Sequence, residues 1–81
     1  MPHVIVKLYP GKSEEQKQKL ASAVTSSVQR ILGYGAESVS VAIEEVAPAD
    51  WENDVYERDI ASNMVRLYKK PGYGRLAAQG K

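Results

Sequence analysis

Apolar and polar residues alternate from the start of the chain. Val4, Val6 and Leu8 fall on one side, and His3, Ile5 and Lys7 on the other. A period of two predicts a β-strand over about residues 2–9. Pro10-Gly11 then supplies a turn signal, and the pattern changes period. Leu20, Val24, Val28 and Ile31 recur at helical spacing, which predicts a helix over about residues 14–32. Ser13 suits its N-cap and Gln16 completes a capping box. Glu14 and Glu15 occupy the first turn, where the helix dipole favours carboxylates. Gly33 provides the stop.

Alternation returns over about residues 38–46, with Val39, Val41 and Ile43 on one face and Ser40, Ala42 and Glu44 on the other. Pro48-Ala49-Asp50 reads as a turn. A second helix is expected over about residues 54–69, with Tyr56, Ile60, Met64 and Leu67 as its apolar stripe. Pro71-Gly72 closes it, and residues 71–81 form a C-terminal tail. The 81 residues are expected to make a single domain of the α/β class. Strand, helix and strand form a β-α-β unit, whose right-handed crossover makes the strands parallel. Two parallel strands leave unpaired edges and uncovered faces. Pairing with a second copy about a twofold axis would complete a four-stranded sheet backed by helices.

Composition sharpens this picture. A chain of this length buries little on its own, and it has no cysteine with which to build a disulfide or a thiolate metal site. The single histidine, His3, cannot hold a metal alone. Association with further copies is therefore the expected route to added burial, with a homodimer favoured over a hexamer because of the added second helix. Eleven basic and 10 acidic residues leave a net charge of +1, without the basic excess of a nucleic-acid partner. No apolar stretch reaches membrane-spanning length. Lys7, Pro10 and Gly11 interrupt any signal-peptide core, so a soluble cytoplasmic protein is expected.

The candidate chemistry lies at the second residue. Initiator methionine is usually removed before a residue as small as proline, and its loss would leave Pro2 with a free secondary amine at the tip of a strand. An α-amino group has a reference pKa of about 7.7–8.0, and apolar walls or a nearby cation lower it. Such an amine is partly unprotonated near neutrality, as a general base must be. The competing reading is an inert proline at the first position of a strand. His3 adjoins Pro2 but alternates to the other face, and reads as a surface or interface residue rather than a second base. Tyr34, Tyr73 and Arg75 read either as surface residues or as groups that close over a neighbouring pocket in a dimer.

Three segments carry a resemblance: Pro2-His3-Val4-Ile5-Val6-Lys7, Gly11-Lys12-Ser13-Glu14-Glu15-Gln16-Lys17 and Ser38-Val39-Ser40-Val41-Ala42-Ile43. Together they resemble the 4-oxalocrotonate tautomerase family over roughly residues 2–51. Trp51, the second helix and Lys69-Lys70-Pro71-Gly72-Tyr73 look like its longer, dimeric PptA-type branch. The resemblance implies the tautomerase-superfamily fold and cofactor-free, metal-free keto–enol isomerisation of a small 2-oxo acid or its enol, such as phenylpyruvate enol or a 2-hydroxydienoate. Pro2 matches the catalytic proline. Lys12 and Ser40 fall where the best-known members carry substrate-binding arginines, and Trp51 falls on an aromatic wall. Lys12 keeps the charge but lacks the bidentate fork; Ser40 offers one neutral hydrogen bond. The alternatives are a proline-dependent hydratase, dehalogenase or decarboxylase, and a non-catalytic oligomeric binding domain on the same scaffold.

Overall fold

The computed structural model describes residues 1–75 and residue 77. Its contacts divide the chain into two compact units, Met1–Ala47 and Pro48–Lys81. The first contains strand β1 (His3–Leu8), helix α1 (Glu14–Leu32), a single 3₁₀ turn (Ala36–Ser38) and strand β2 (Ser40–Glu45). β1 and β2 pair in parallel, with His3 opposite Ser40 and Leu8 opposite Glu45. The ladder continues at both ends: Ser40 N–H donates to the Pro2 carbonyl at 3.1 Å, and Val46 N–H to the Leu8 carbonyl at 2.8 Å. The second strand therefore starts two residues after the expected position, because residues 36–38 close a 3₁₀ turn first.

Parallel strands place directly opposed residues on the same face. Val4 and Val6 thus share a face with Val41 and Ile43, and α1 covers that face. His3, Ile5 and Lys7 share the other with Ser40, Ala42 and Glu44. On that other face Ile5 is 49 % exposed.

α1 begins with the complete capping box. Gln16 N–H donates to Ser13 Oγ at 3.1 Å, and Ser13 N–H donates to Gln16 Oε1 at 3.0 Å. Two orphan donors of the first turn are satisfied reciprocally. Gly33 ends the helix in the left-handed region (φ 81°) and donates its N–H to the Gln29 carbonyl at 3.0 Å. Lys17 ties the helix to the sheet, bridging Glu14 at 2.6 Å and Glu45 at 3.1 Å. The hydrogen bonds to Glu14 and then to Glu45 hold its ammonium above the usual lysine pKa.

The apolar stripe of α1 is only partly used. Val24 and Val28 are half-buried, but Ile31 is 70 % exposed. Length explains this: 19 helical residues span about 28 Å, whereas a six-residue strand spans about 20 Å. The last turns of α1 run past the sheet meant to cover them.

The second unit departs from the expected helix over about 54–69. Helical structure starts earlier, in α2 (Pro48–Trp51), so Pro48-Ala49-Asp50 is a helix start and not a turn. Proline is well suited to a first helical position, where its missing N–H costs no bond. The chain continues as a π-helix over Glu52–Ile60 and a 3₁₀ segment over Ala61–Arg66. Ser62 and Asn63 stand just past the change of winding. Ser62 Oγ donates to the Glu57 carbonyl at 2.7 Å, and Asn63 Nδ2 to the Arg58 carbonyl at 2.9 Å. Ser62 thus adds a second donor to the Glu57 carbonyl, which also accepts the Ala61 N–H, and Asn63 leaves helical geometry (φ −128°, ψ 33°). Helical structure ends at Arg66, short of the expected boundary.

Among the described residues only Val55 and Tyr56, at 5 % and 1 % exposure, are fully enclosed. Ser13→Ala removes the α1 cap and should cost about 1 kcal/mol. A lower denaturation midpoint, measured against the parent at matched protein concentration, checks this; an unchanged midpoint contradicts it.

Candidate active site

The tip of β1 brings two of the four sequence-predicted site residues together. Pro2 directly precedes the strand, half-buried, and its carbonyl holds the Ser40 N–H. The covalent path from the Pro2 nitrogen to its own oxygen, plus the 3.1 Å hydrogen bond, limits the separation of the Pro2 and Ser40 nitrogens to about 7 Å. Met1 stands ahead of Pro2 and is 93 % exposed. While Met1 is attached, the Pro2 nitrogen is an amide without basicity.

Ser40 has a side-chain partner that strand periodicity alone did not reveal. His3 Nδ1 lies 2.6 Å from Ser40 Oγ. The parallel register produces this contact by setting His3 opposite Ser40 on one face. The signal was present in the alternation of both strands, but only pairing defines which residues face each other.

Lys12 lies at the other end of the strand. It is exposed and lines a cavity of about 280 Å³ with Leu8, Gln16, Lys17 and Leu20. The six residue steps from Pro2 to Leu8 span about 20 Å. One copy of the chain therefore does not bring Lys12 to its own Pro2.

Trp51 belongs to the second unit, where it is half-buried and its Nε1–H donates to Tyr73 Oη at 3.0 Å. Around it the unit builds a cluster that the sequence reading left among possible surface groups. The Tyr56 and Tyr73 rings meet with centroids 5.5 Å apart, and Tyr56 Oη donates to the Tyr73 carbonyl at 3.3 Å. The Arg75 guanidinium lies 5.6 Å from the Tyr56 ring centre and pairs with Glu57 at 2.5 Å and Glu52 at 3.4 Å. The Glu57 hydrogen bond holds Arg75 above the usual guanidinium pKa. Tyr73 and Arg75 thus fasten the segment after Gly72 onto the second helical stretch and fix the partner of Trp51.

The described residues contain no group of three or more His, Asp or Glu side chains placed to hold a metal ion. Nor, among them, is any helix long and apolar enough to cross a membrane.

Comparison with known proteins agrees with this architecture. The family model described as tautomerase enzyme matches residues 2–53. The chain is 45 % identical over 78 residues to a probable tautomerase of Xylella fastidiosa, covering 96 % of this chain and 95 % of that one. It is 40 % identical over 74 residues to tautomerase PptA of Cronobacter sakazakii, covering 90 % and 97 %. Among solved structures it resembles TomN, a 4-oxalocrotonate tautomerase homologue in the tomaymycin biosynthetic pathway. That match has a TM-score of 0.60 and 33 % identity, and covers 75 % of this chain and 91 % of TomN.

Gly74 has φ 76°, and a Cβ there would sit 2.5 Å from the Tyr56 ring. Gly74→Ala should therefore loosen the tyrosine cluster, seen as increased Trp51 fluorescence quenching by acrylamide. Unaltered quenching would show that the cluster does not depend on this close approach.

Proposed function

We infer the chemistry from one premise: the chain belongs to the 4-oxalocrotonate tautomerase family and is a tautomerase, an isomerase. Within it we propose a cofactor-independent keto–enol tautomerase of small 2-oxo and 2-hydroxy acids, with phenylpyruvate enol and 2-hydroxydienoates as the substrates to test. The base is Pro2, freed by removal of Met1. The observation that carries this reading is the placement of Pro2 at the tip of a parallel strand, one hydrogen bond from Ser40.

The proton bookkeeping is short. The neutral Pro2 nitrogen accepts the enol O–H proton, and the O–H bonding pair stays on oxygen as an enolate. That pair then becomes the carbonyl π bond as the C=C π pair takes a proton from the prolinium nitrogen to form the new C–H bond. Pro2 ends as it began, and the substrate is isomerised without oxidant or added water. Negative charge gathers on the substrate oxygen between the two transfers, so a donor aimed at that oxygen accelerates the step. Ser40 is the proposed donor.

Lys12 is the proposed carboxylate anchor. Since it stands a strand's length from its own Pro2, a second copy of the chain would supply it. This supports a homodimer as the working form, with two parallel pairs completing a four-stranded sheet and covering edges that one copy leaves open. Trp51 is assigned the apolar wall of the pocket on family likeness. The compartment that suits the composition is the cytoplasm.

A residue added ahead of Pro2, or Pro2→Ala, should lower kcat for enol loss by about 10²–10⁴-fold. Full activity in both variants excludes the proline base. Lys12→Ala should raise KM about tenfold with little change in kcat, as expected for an interaction made equally in ground and transition states. A selective loss of kcat would reassign Lys12 to the chemical step.

A further inference from the structure

The Trp51 indole is held by a side chain that lies 22 residues further along the chain, Tyr73. We propose that Tyr73 is a positioning residue that sets substrate preference: it fixes the plane of the Trp51 indole, so that this wall favours 2-oxo acids carrying a flat aromatic side chain. This inference rests on the proposed tautomerase site with Trp51 as its wall.

Chemistry fixes the direction of the bond. An indole Nε1–H donates and has no lone pair to accept with. Tyr73 Oη is therefore the acceptor, at 3.0 Å. An indole joined to its backbone through Cβ alone turns about its side-chain torsions. Nε1 lies off the Cβ–Cγ axis, so a bond there resists rotation of the ring about that axis. Trp51 is only half-buried and Tyr73 is 48 % exposed, so water could satisfy both groups if they parted. An exposed hydrogen bond of this kind adds little to stability, because water replaces it at small cost. What it supplies is orientation.

The acceptor is itself pinned. The Tyr73 carbonyl accepts from Tyr56 Oη at 3.3 Å, and the two rings meet at 56°. Tyr56 is the most enclosed of the described side chains. At Gly74 the backbone runs so close to the Tyr56 ring that no Cβ fits. Arg75 then pairs with Glu57 and with Glu52, the residue that follows Trp51. The segment that carries the Tyr73 hydroxyl is thus anchored to the same helical stretch that carries the indole. A planar ring stacks across the face of a fixed indole. A wall already held in place also loses less freedom when a ligand binds. A substrate without a ring gains less from either effect.

The test uses the full chain with Met1 removed and compares phenylpyruvate enol with a 2-hydroxydienoate. Tyr73→Phe keeps the ring and removes the acceptor. It should raise KM for phenylpyruvate enol about fivefold with little change in kcat, and raise KM for the dienoate by less than about twofold. Emission from Trp51, the sole tryptophan, should become more accessible to acrylamide in the same variant. Trp51→Ala should lower the aromatic preference, and adding Tyr73→Phe should lower it no further, because the second change acts through the first residue. Equal KM changes for the two substrates, unchanged quenching, or fully additive losses overturn the proposal. Should Tyr73→Phe misfold, the indole N–H of the parent chain decides: it should exchange with solvent more slowly than that of free tryptophan, and exchange at the free rate overturns the proposal. The two ideas fail separately. An aromatic preference that survives Trp51→Ala defeats the wall and the Tyr73 role with it, whereas a preference lost in Trp51→Ala but kept in Tyr73→Phe defeats only the Tyr73 role. Activity that survives a residue added before Pro2 defeats the proline base and leaves the preference test standing.

Discussion

The hydrogen-bonded ladder between His3–Leu8 and Ser40–Glu45 is the constraint on which the first unit depends. Parallel strands cannot be joined by a hairpin, so the chain needs a crossover, and α1 supplies it. The same ladder fixes the register. Register in turn decides that Ser40, and not Val39 or Val41, stands opposite His3 and bonds the carbonyl of Pro2. A slip of one residue would turn Ser40 to the helix-covered face and replace it with an apolar side chain. The proposed chemistry is thus tied to a backbone pairing that local alternation permits but does not select.

That ladder is also incomplete as a structure. Among the described residues each strand pairs with one other strand, so each keeps an outer edge that no described strand covers. The only fully enclosed side chains among the described residues, Val55 and Tyr56, are in the second unit. Ile31 and Leu32 at the end of α1 remain largely exposed. A unit with open edges and half-covered apolar faces gains from burial against another copy, which agrees with a pocket assembled from more than one chain. The position of Lys12 leads to the same point from the chemical side. The proposed carboxylate anchor, a strand's length from the proposed base, would serve a neighbouring base better than its own.

The second unit solves a different problem. Ser62 and Asn63 add side-chain donors to carbonyls of the preceding turn, where the winding passes from π to 3₁₀. What holds this irregular stretch is aromatic packing with a charged clasp. Tyr56 is enclosed beneath Tyr73, and Arg75 joins Glu52 and Glu57 across the Tyr56 ring. Arg75 and Glu52 are exposed and Glu57 only half-buried, so the ion pairs serve chiefly to orient the segment. The enclosed tyrosine carries more of the stability.

Much of this protein was legible without coordinates. The alternation at Val4, Val6 and Leu8, the Ser13–Gln16 cap and the stop at Gly33 are local signals, each set by residues within one turn or one strand, and each has its structural counterpart. The family likeness is a sequence property too, since it lies in short segments around Pro2, Lys12 and Ser40. The limits of the second helix were misjudged because Pro48 can either make a turn or open a helix, and because Ser62 and Asn63 reach carbonyls four and five residues back. Pairing across long sequence separations was beyond local signals altogether. His3 and Ser40 are 37 residues apart, and Trp51 and Tyr73 are 22 apart. Periodicity assigns each side chain to a face of its own element, but which residue stands across from it depends on register and packing, and those exist only once the chain has folded.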